Sequence, residues 1–429
     1  MTPTSGDPAL PVEQLDDLVT VLDLIRSGRA CTRPEIVRIS GLGRSVVTQR
    51  VAHLLAQGIV QESGLAPSTG GRAPRELSVR AQAGLVLVAP LGATHVAAGA
   101  ADLTGRLLDS FSEPWEIALG PEETLTRVEK MFDRLLADPA VRGEARLYGI
   151  GVGLPGPVEF ASGRPVSPPI MPGWDGYPVR ARLAERYDVP VWVDNDVNLM
   201  ALGELRGGAA QGEQDVIYVK IGTGIGAGLI SSGRLHRGAQ GCAGDIGHIA
   251  VAEAAGVVCR CGNTGCLEAV AGGGALVRLG TEAAHEGRSS YLRGLLDHQP
   301  VLHVADITRA AQHGDAVAVE LVSRAGRLVG ETLATLVNFF DPSHVLLGGA
   351  LADEGDLLLA AVRETVYRRS LPLATRDLLI AKSSPSPDPG LLGAAFMVID
   401  ELFSRDGLGI WLADGSPAGR PEIADAVSA

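Results

Sequence analysis

Gly244-Asp-Ile-Gly-His248, followed at 259–268 by Cys-Arg-Cys-Gly-Asn-Thr-Gly-Cys-Leu-Glu, decides how this chain is read. Three of the five cysteines fall within residues 259–266, spaced C-x-C-x4-C, and ten residues separate His248 from Cys259. Thiolates and imidazole are the ligands that tetrahedral zinc prefers, and four protein ligands leave no coordination position open. The pattern therefore predicts a structural zinc held by His248, Cys259, Cys261 and Cys266. Gly262 and Gly265 suit a backbone folded tightly around a metal. The plainer alternative is three reduced cysteines in a glycine-rich loop, but paired ligand spacing beside a histidine is far rarer than single buried cysteines. Asp245 and Glu268 are not needed as ligands. They are free to face a polar small molecule, in a loop that the metal would fix.

Working outward, 429 residues suggest two or three domains, and 46% hydrophobic residues supply ample core. Met1 to Leu10 has neither a basic segment nor an apolar run, so no signal peptide is expected. Gly84 to Ala101 is uncharged, but Pro90, Gly92, Thr94 and His95 interrupt it, which favours two buried strands and a turn over a membrane span. Few cysteines, clustered as metal ligands, fit a reducing cytoplasm. The expectation is a soluble cytoplasmic protein with no membrane partner.

The formal net charge of −13 is unevenly spread. Residues 26–80 carry nine arginines against Glu35, Glu62 and Glu76, a local excess of +6 that leaves −19 elsewhere. A small basic module on an acidic body is the electrostatic footprint of a nucleic-acid-binding head. Leu15, Leu18, Val19, Leu22 and Ile25 recur at helical spacing. Thr32 and Glu35 form a capping box with Pro34 in the first turn, opening a second short helix through Ile39. After the Gly41-Leu-Gly43 turn, Val47, Val51, Leu54 and Leu55 mark the buried face of a third helix. Arg44, Ser45, Thr48, Gln49 and Arg50 then sit where the recognition helix of a helix-turn-helix carries its base and phosphate contacts. Two short strand-like runs flank residues 63–74 and read as a wing presenting Arg72. The alternative is a small helical dimerisation module. The helix lengths, turn and wing favour DNA.

In the body, residues 84–110 read as a three-stranded meander with turns at 90–93 and 102–105. A helix over Pro121 to Leu136 follows, then a buried strand running into the Gly/Pro loop at Leu154 to Pro157. Val189 to Asn198 is a strand ending in the Asp194-Asn-Asp-Val-Asn198 cluster. Such a cluster is often only a turn, yet it also suits hydrogen bonding to sugar hydroxyls. Asp215 to Gly233 is a strand–glycine–strand unit whose glycines, Gly222, Gly224, Gly226 and Gly228, serve equally a tight hairpin or a phosphate cradle. A long helix over Asp315 to Asn338 precedes a strand meeting Gly348-Gly349. An apolar helix over 391–403 comes last, and residues 405–429 read as a loosely ordered tail.

Together these residues resemble the ROK family of repressors, open reading frames and sugar kinases, over about residues 15–403. The two quoted motifs and the winged head ending in Gly-Gly-Arg72 carry the resemblance. It implies an α/β fold: a winged helix-turn-helix (1–80), then a two-lobed actin-like, ribonuclease-H-type body divided into 81–200 and 201–404, the last helix returning to the first lobe. It implies a sugar set of Gly156, Asn195, Asp196, Asp245, His248 and Glu268, with His248 serving both metal and sugar. It places phosphate-binding segments at Gly92 and Thr94, at Gly222 to Gly224 and at Gly348 and Gly349, and a catalytic base at Asp196.

Two departures shape the functional expectation. Pro90 stands where the kinases' D-x-G-x-T segment has its aspartate, supplying neither carboxylate nor backbone donor. Asp245 replaces a longer glutamate, so a sugar hydroxyl is met differently. The expected protein is a DNA-binding transcriptional regulator, a repressor, that senses a sugar or sugar phosphate through a degenerate kinase-like domain. Asp196 is then a vestigial base and no residue is catalytic. Because one recognition helix reads only a short half-site, a homodimer or homotetramer on double-stranded operator DNA is expected. The alternatives are an active ATP-dependent sugar kinase with a DNA-binding head, and a regulator answering to a protein partner.

Overall fold

The computed structural model describes residues 12–65, 73–384 and 388–428. The head is built as the periodicity requires. Helices Val12–Arg26, Arg33–Ser40 and Arg44–Ala56 bury Leu18, Leu22, Ile36, Val47, Val51 and Leu54 completely. The second helix opens on the expected capping box: Glu35 N–H donates to Thr32 Oγ1 at 3.4 Å, and Thr32 N–H to Glu35 Oε2 at 3.0 Å. Gly41, at φ 73°, ends it in the left-handed conformation that only glycine adopts without cost. Strands Val60–Leu65 and Arg75–Val79 pair antiparallel as the wing. Arg72 lies outside the described residues.

Each lobe of the body carries a five-stranded mixed sheet. In the first, the order is Leu107–Pro114, His95–Asp102, Gly84–Pro90, Arg146–Leu154, Val191–Asn195. The meander is antiparallel, and the last two strands add parallel. Gly84–Pro90 is buried at every position, as expected for a central strand covered on both faces. In the second sheet the order is Arg234–Leu235, Ile225–Ser231, Val216–Ile221, His344–Gly348, Leu379–Lys382. The long helix Ala316–Phe340 packs in that lobe's core.

Two helices occupy the space between the sheets. The cleft helix, Asp196–Gly207, lies against strand Ile225–Ser231 of the second sheet. The return helix, Pro389–Leu402, lies against the central strands of the first. They cross at backbone contact, because both present glycine. A Cβ on Gly393 would fall on the Leu199 carbonyl and within 2.9 Å of the Gly203 nitrogen, and one on Gly203 would fall on Pro389. The expected boundary between 200 and 201 therefore cuts through a helix. The lobes share this helix pair rather than meeting at a linker.

Residues 405–428 are not a loose tail. Helices Arg405–Trp411 and Ile423–Ser428 form a strap from the return helix to the head and first lobe, with Leu408, Trp411 and Ile423 fully buried. Trp411 Nε1 donates to Leu402 O at 2.8 Å, and its ring meets Tyr148 edge-on at 5.8 Å. Arg405 pairs with Asp16 of the first head helix at 2.9 Å, and Arg180 with Asp425 at 2.8 Å. The segment is rich in Gly, Pro and Asp, and some of its contacts, such as Trp411 with Tyr148, lie far away in sequence. On the return helix, Asp400 holds Arg26 of the head together with Arg206 of the cleft helix, the latter at 2.6 Å. Head and both interlobe helices thus share one carboxylate.

Replacing glycine by alanine inside a helix ordinarily gains ~1 kcal/mol. At the crossing the sign should reverse: Gly393→Ala is expected to lower the free energy of unfolding by about 1–3 kcal/mol, read from denaturant melts, because backbone cannot yield as a side-chain tip can.

Candidate functional site

Strand Val191–Asn195 delivers the acidic cluster to the start of the cleft helix. Asn195 caps that helix, its Oδ1 accepting from Val197 N–H at 2.9 Å and Asn198 N–H at 3.3 Å. Its Nδ2 donates to Gly156 O at 2.9 Å, which ties the Gly/Pro loop to the helix start. Asp194 is buried beneath: Oδ1 accepts from Asn195 N–H at 2.7 Å and Asn198 Nδ2 at 2.8 Å, and Oδ2 pairs with Arg237 at 2.7 Å. Asp196 heads the helix, nearly buried, and forms an ion pair with Lys220.

All six residues expected to meet a sugar, Gly156, Asn195, Asp196, Asp245, His248 and Glu268, line one interlobe cleft of about 770 Å³. Glu268 enters it from the end of the cysteine loop, its Oε2 accepting Ile225 N–H at 3.0 Å. The carboxylate lies against the bare backbone of Gly224, where a Cβ would collide with it. Desolvation raises the Asp245 carboxyl above its ordinary range, and His248 opposes the shift. Of the expected phosphate segments, Thr94, Gly222, Thr223, Gly224 and Gly349 line the same cleft. Gly92 lies instead against the His95 ring, and Gly348 against the Tyr218 hydroxyl. These two glycines make room for the neighbouring side chains.

At the other end of the loop, one donor atom each from His248, Cys259, Cys261 and Cys266 lies within 4.8 Å of every other. Cys261 Sγ and Cys266 Sγ are 3.7 Å apart, and Cys259 Sγ lies 3.7 Å from His248 Nδ1. Bonds of about 2.3 Å to a tetrahedral zinc place thiolates about 3.8 Å apart, so the donor set has the right size for a metal. Gly262 and Gly265, both at φ 90°, turn the chain around it as glycine alone does readily. His248 faces both ways. Nδ1 belongs to the cluster, while Nε2 lies 3.8 Å from Asp245 Oδ1 in the cleft.

The ROK family model matches residues 88–401. This chain belongs to the ROK family. It is 30% identical to a putative xylose repressor of Caldicellulosiruptor sp., over 93% of this chain and 98% of that one. It is 31% identical to a glucokinase of Halalkalibacterium halodurans, but that match spans only 72% of this chain while taking in 93% of the glucokinase. Among solved structures, a ROK family transcriptional regulator described as a homologue of the E. coli MLC protein superposes with a TM-score of 0.79 at 24% identity. It covers 94% of this chain and 99% of the other, and shows the same fold over that span.

In this ROK protein the third helix presents Arg44, Ser45, Thr48 and Gln49 to solvent. Arg50 does not join them. It is 5% exposed, with Nη1 on Gln14 Oε1 at 3.3 Å and Nη2 3.8 Å from Asp17, so it fastens the third helix to the first. Its place one turn in from Val47 on the inner face could have signalled this. Sequence reading also missed Lys220, Arg237 and His95. Arg237 neutralises Asp194 and stacks on Phe160 at 3.7 Å. The His95 ring edge reaches solvent, yet desolvation, then the Lys220 charge, holds its imidazole below the ordinary value.

Asp194 orders two cleft residues, Asn195 and Asn198, without lining the cleft itself. Asp194→Ala leaves Arg237 only the longer contact to Glu401, 3.8 Å away, and takes the acceptor from the Asn195 backbone N–H and from Asn198 Nδ2. A loss of about 3–5 kcal/mol is expected, measured by denaturant unfolding.

Proposed function

We propose that the chain is a DNA-binding transcriptional repressor of the ROK family, and that its kinase-like body is a sugar sensor. The observation that carries this reading is the extent of the similarity. The match to the repressor-named relative takes in 93% of this chain, whereas the glucokinase match takes in 72%. The four exposed residues at the start of the recognition helix are polar or basic and free to reach base edges and phosphates. In the cleft, carboxylates, an amide and an imidazole converge on one space, the donor and acceptor mixture that sugar hydroxyls require. The metal is a structural zinc, since the four ligands leave no position for substrate. No helix of the described residues is long and apolar enough to cross a membrane. Cytoplasmic operator DNA is the partner, and a homodimer or homotetramer supplies two heads.

Phosphoryl transfer needs a metal-bound nucleotide in line with the acceptor hydroxyl. Pro90 offers the metal no carboxylate, and Asp196 is tied to Lys220. The cleft therefore binds without turnover, and incubation with ATP, magnesium and a bound sugar should give no sugar phosphate above background.

Two further outcomes are expected. In mobility-shift assays on a genomic operator, Arg44→Ala and Gln49→Ala each weaken specific binding by about 1–3 kcal/mol, while removal of residues 1–80 abolishes it. Specific binding by the truncated chain would end the repressor reading. Metal analysis of protein purified without added zinc should give about one zinc per chain. Cys261→Ser should lose the zinc and sugar binding together, because the loop carries Asp245, His248 and Glu268 into the cleft.

A further inference from the structure

We propose that Arg237 is a latch between the lobes, a positioning residue that couples the cleft to the seat of the DNA-binding head. This rests on the reading of the cleft as a sensor site and names the residue through which its state reaches the head. Arg237 follows Arg234–Leu235, the edge strand of the second sheet. Its guanidinium nevertheless lodges among groups of the first lobe and the return helix. It lies over the Phe160 ring at 3.7 Å, Nε donates to Asp194 Oδ2 at 2.7 Å, and Nη1 stands 3.8 Å from Glu401 Oε1. The Asp194 and Glu401 side chains are 2% and 20% exposed, so both depend on this cation for their charge. Neither carboxylate lines the cleft, nor does Arg237.

Two routes lead away from the guanidinium. Towards the cleft, Arg237 O accepts Ala243 N–H at 3.0 Å and closes a loop whose far side, Gly241 to Asp245, lines the cleft wall. That loop also leans on the first lobe, since a Cβ on Gly241 would fall on Val158 O. Towards the head, Glu401 adjoins Asp400, the partner of Arg26, and Arg26 lies over the Phe403 ring at 5.1 Å. Burial raises the Glu401 carboxyl above its ordinary range; Arg237 opposes this, and Asp400 and Asp194 add to it. Burial likewise raises Asp23 of the head, and the opposing charges are Arg26, Arg206 and, from the edge strand itself, Arg234. The fork is therefore closed on Asp194 and stands off Glu401, so a movement of about 1 Å makes or releases a hydrogen bond to the second carboxylate. Arg237 comes from one lobe while both carboxylates are packed with the other. A ligand that changes the lobe spacing moves the guanidinium along this pair, and with it the hold on the end of the return helix where the head sits.

The test is hydrogen–deuterium exchange on the full-length protein, comparing the wild type with Arg237→Gln, Glu401→Gln and Arg26→Gln. Without ligand, Glu401→Gln should speed exchange about fivefold or more both in residues 237–245 and in the first head helix, although it lies in neither. Arg237→Gln should do the same. Coupling is reciprocal, so Arg26→Gln should loosen residues 237–245 in the wild-type background and add nothing there in Glu401→Gln. Circular dichroism melts check folding. Glu401→Gln leaves Asp194 its cation and carries the test if Arg237→Gln does not fold. Glucose, xylose and N-acetylglucosamine are then screened by thermal shift. A sugar that stabilises the wild type should change its affinity for operator DNA about fivefold or more, and that of Glu401→Gln less than about twofold, while still stabilising the variant. Exchange that quickens in only one of the two regions in Glu401→Gln overturns the proposal. So does an Arg26→Gln effect on the loop that persists in that background, or a DNA response that survives it. If no sugar of the panel stabilises the protein, the sugar-sensor reading falls, and the exchange measurements still decide the latch.

Discussion

The crossing of the cleft helix and the return helix is the constraint on which the rest depends. Two glycines, 203 and 393, bring the helices so close that any side chain there would overlap backbone. Close-packed interiors yield little, so such a contact transmits displacement rather than absorbing it. The consequences run in both directions along the pair. At one end of the cleft helix, Asn195 and Asp196 form part of the cleft wall. At its other end Arg206 meets Asp400 of the return helix, and Asp400 also holds Arg26 of the head. A ligand that favours one spacing of the lobes must act on this pair, and it can shift the equilibrium only by its differential affinity for the two arrangements.

Electrostatics at the start of the cleft helix follows a single pattern. Two aspartates lie two residues apart, nearly buried, and each is met by a fixed cation from the second lobe's side of the chain: Asp194 by Arg237, Asp196 by Lys220. Buried carboxylates need such partners, because the cost of an unpaired charge exceeds any packing gain. The helix N-terminus adds its own favourable field. The pairs hold the lobes' facing surfaces together chemically while the glycines set their distance.

Much of this was legible in the sequence, and the physical reason is locality. The head follows from helical periodicity, a capping box four residues long and glycine turns, all short-range signals. The cysteine loop announces itself because its ligands are neighbours in the chain. Asn195, Asp196, Asp245, His248 and Glu268 came from motif resemblance, and the structure gathers them at one cleft. What escaped was pairing across distance. Lys220 and Asp196 are 24 residues apart, Arg237 and Asp194 are 43, and nothing local marks either partner. Arg50 was misplaced because a basic residue on a recognition helix suggests phosphate, whereas its position on the helix turns it inward. Residues 405–428 looked like a tail because composition reports average polarity, and the few buried anchors such as Trp411 are invisible to an average.

The strap has a consequence for biosynthesis. The head lies near the beginning of the chain, and the residues that seat it, Asp400, Phe403 and Arg405, are translated only after nearly the whole body has been made. Domains generally fold as they emerge, N-terminal ones first. The winged head therefore has time to fold on the ribosome while its seat does not yet exist. A nascent chain would carry a head that is folded but undocked, and docking must wait until the strap has emerged from the ribosome.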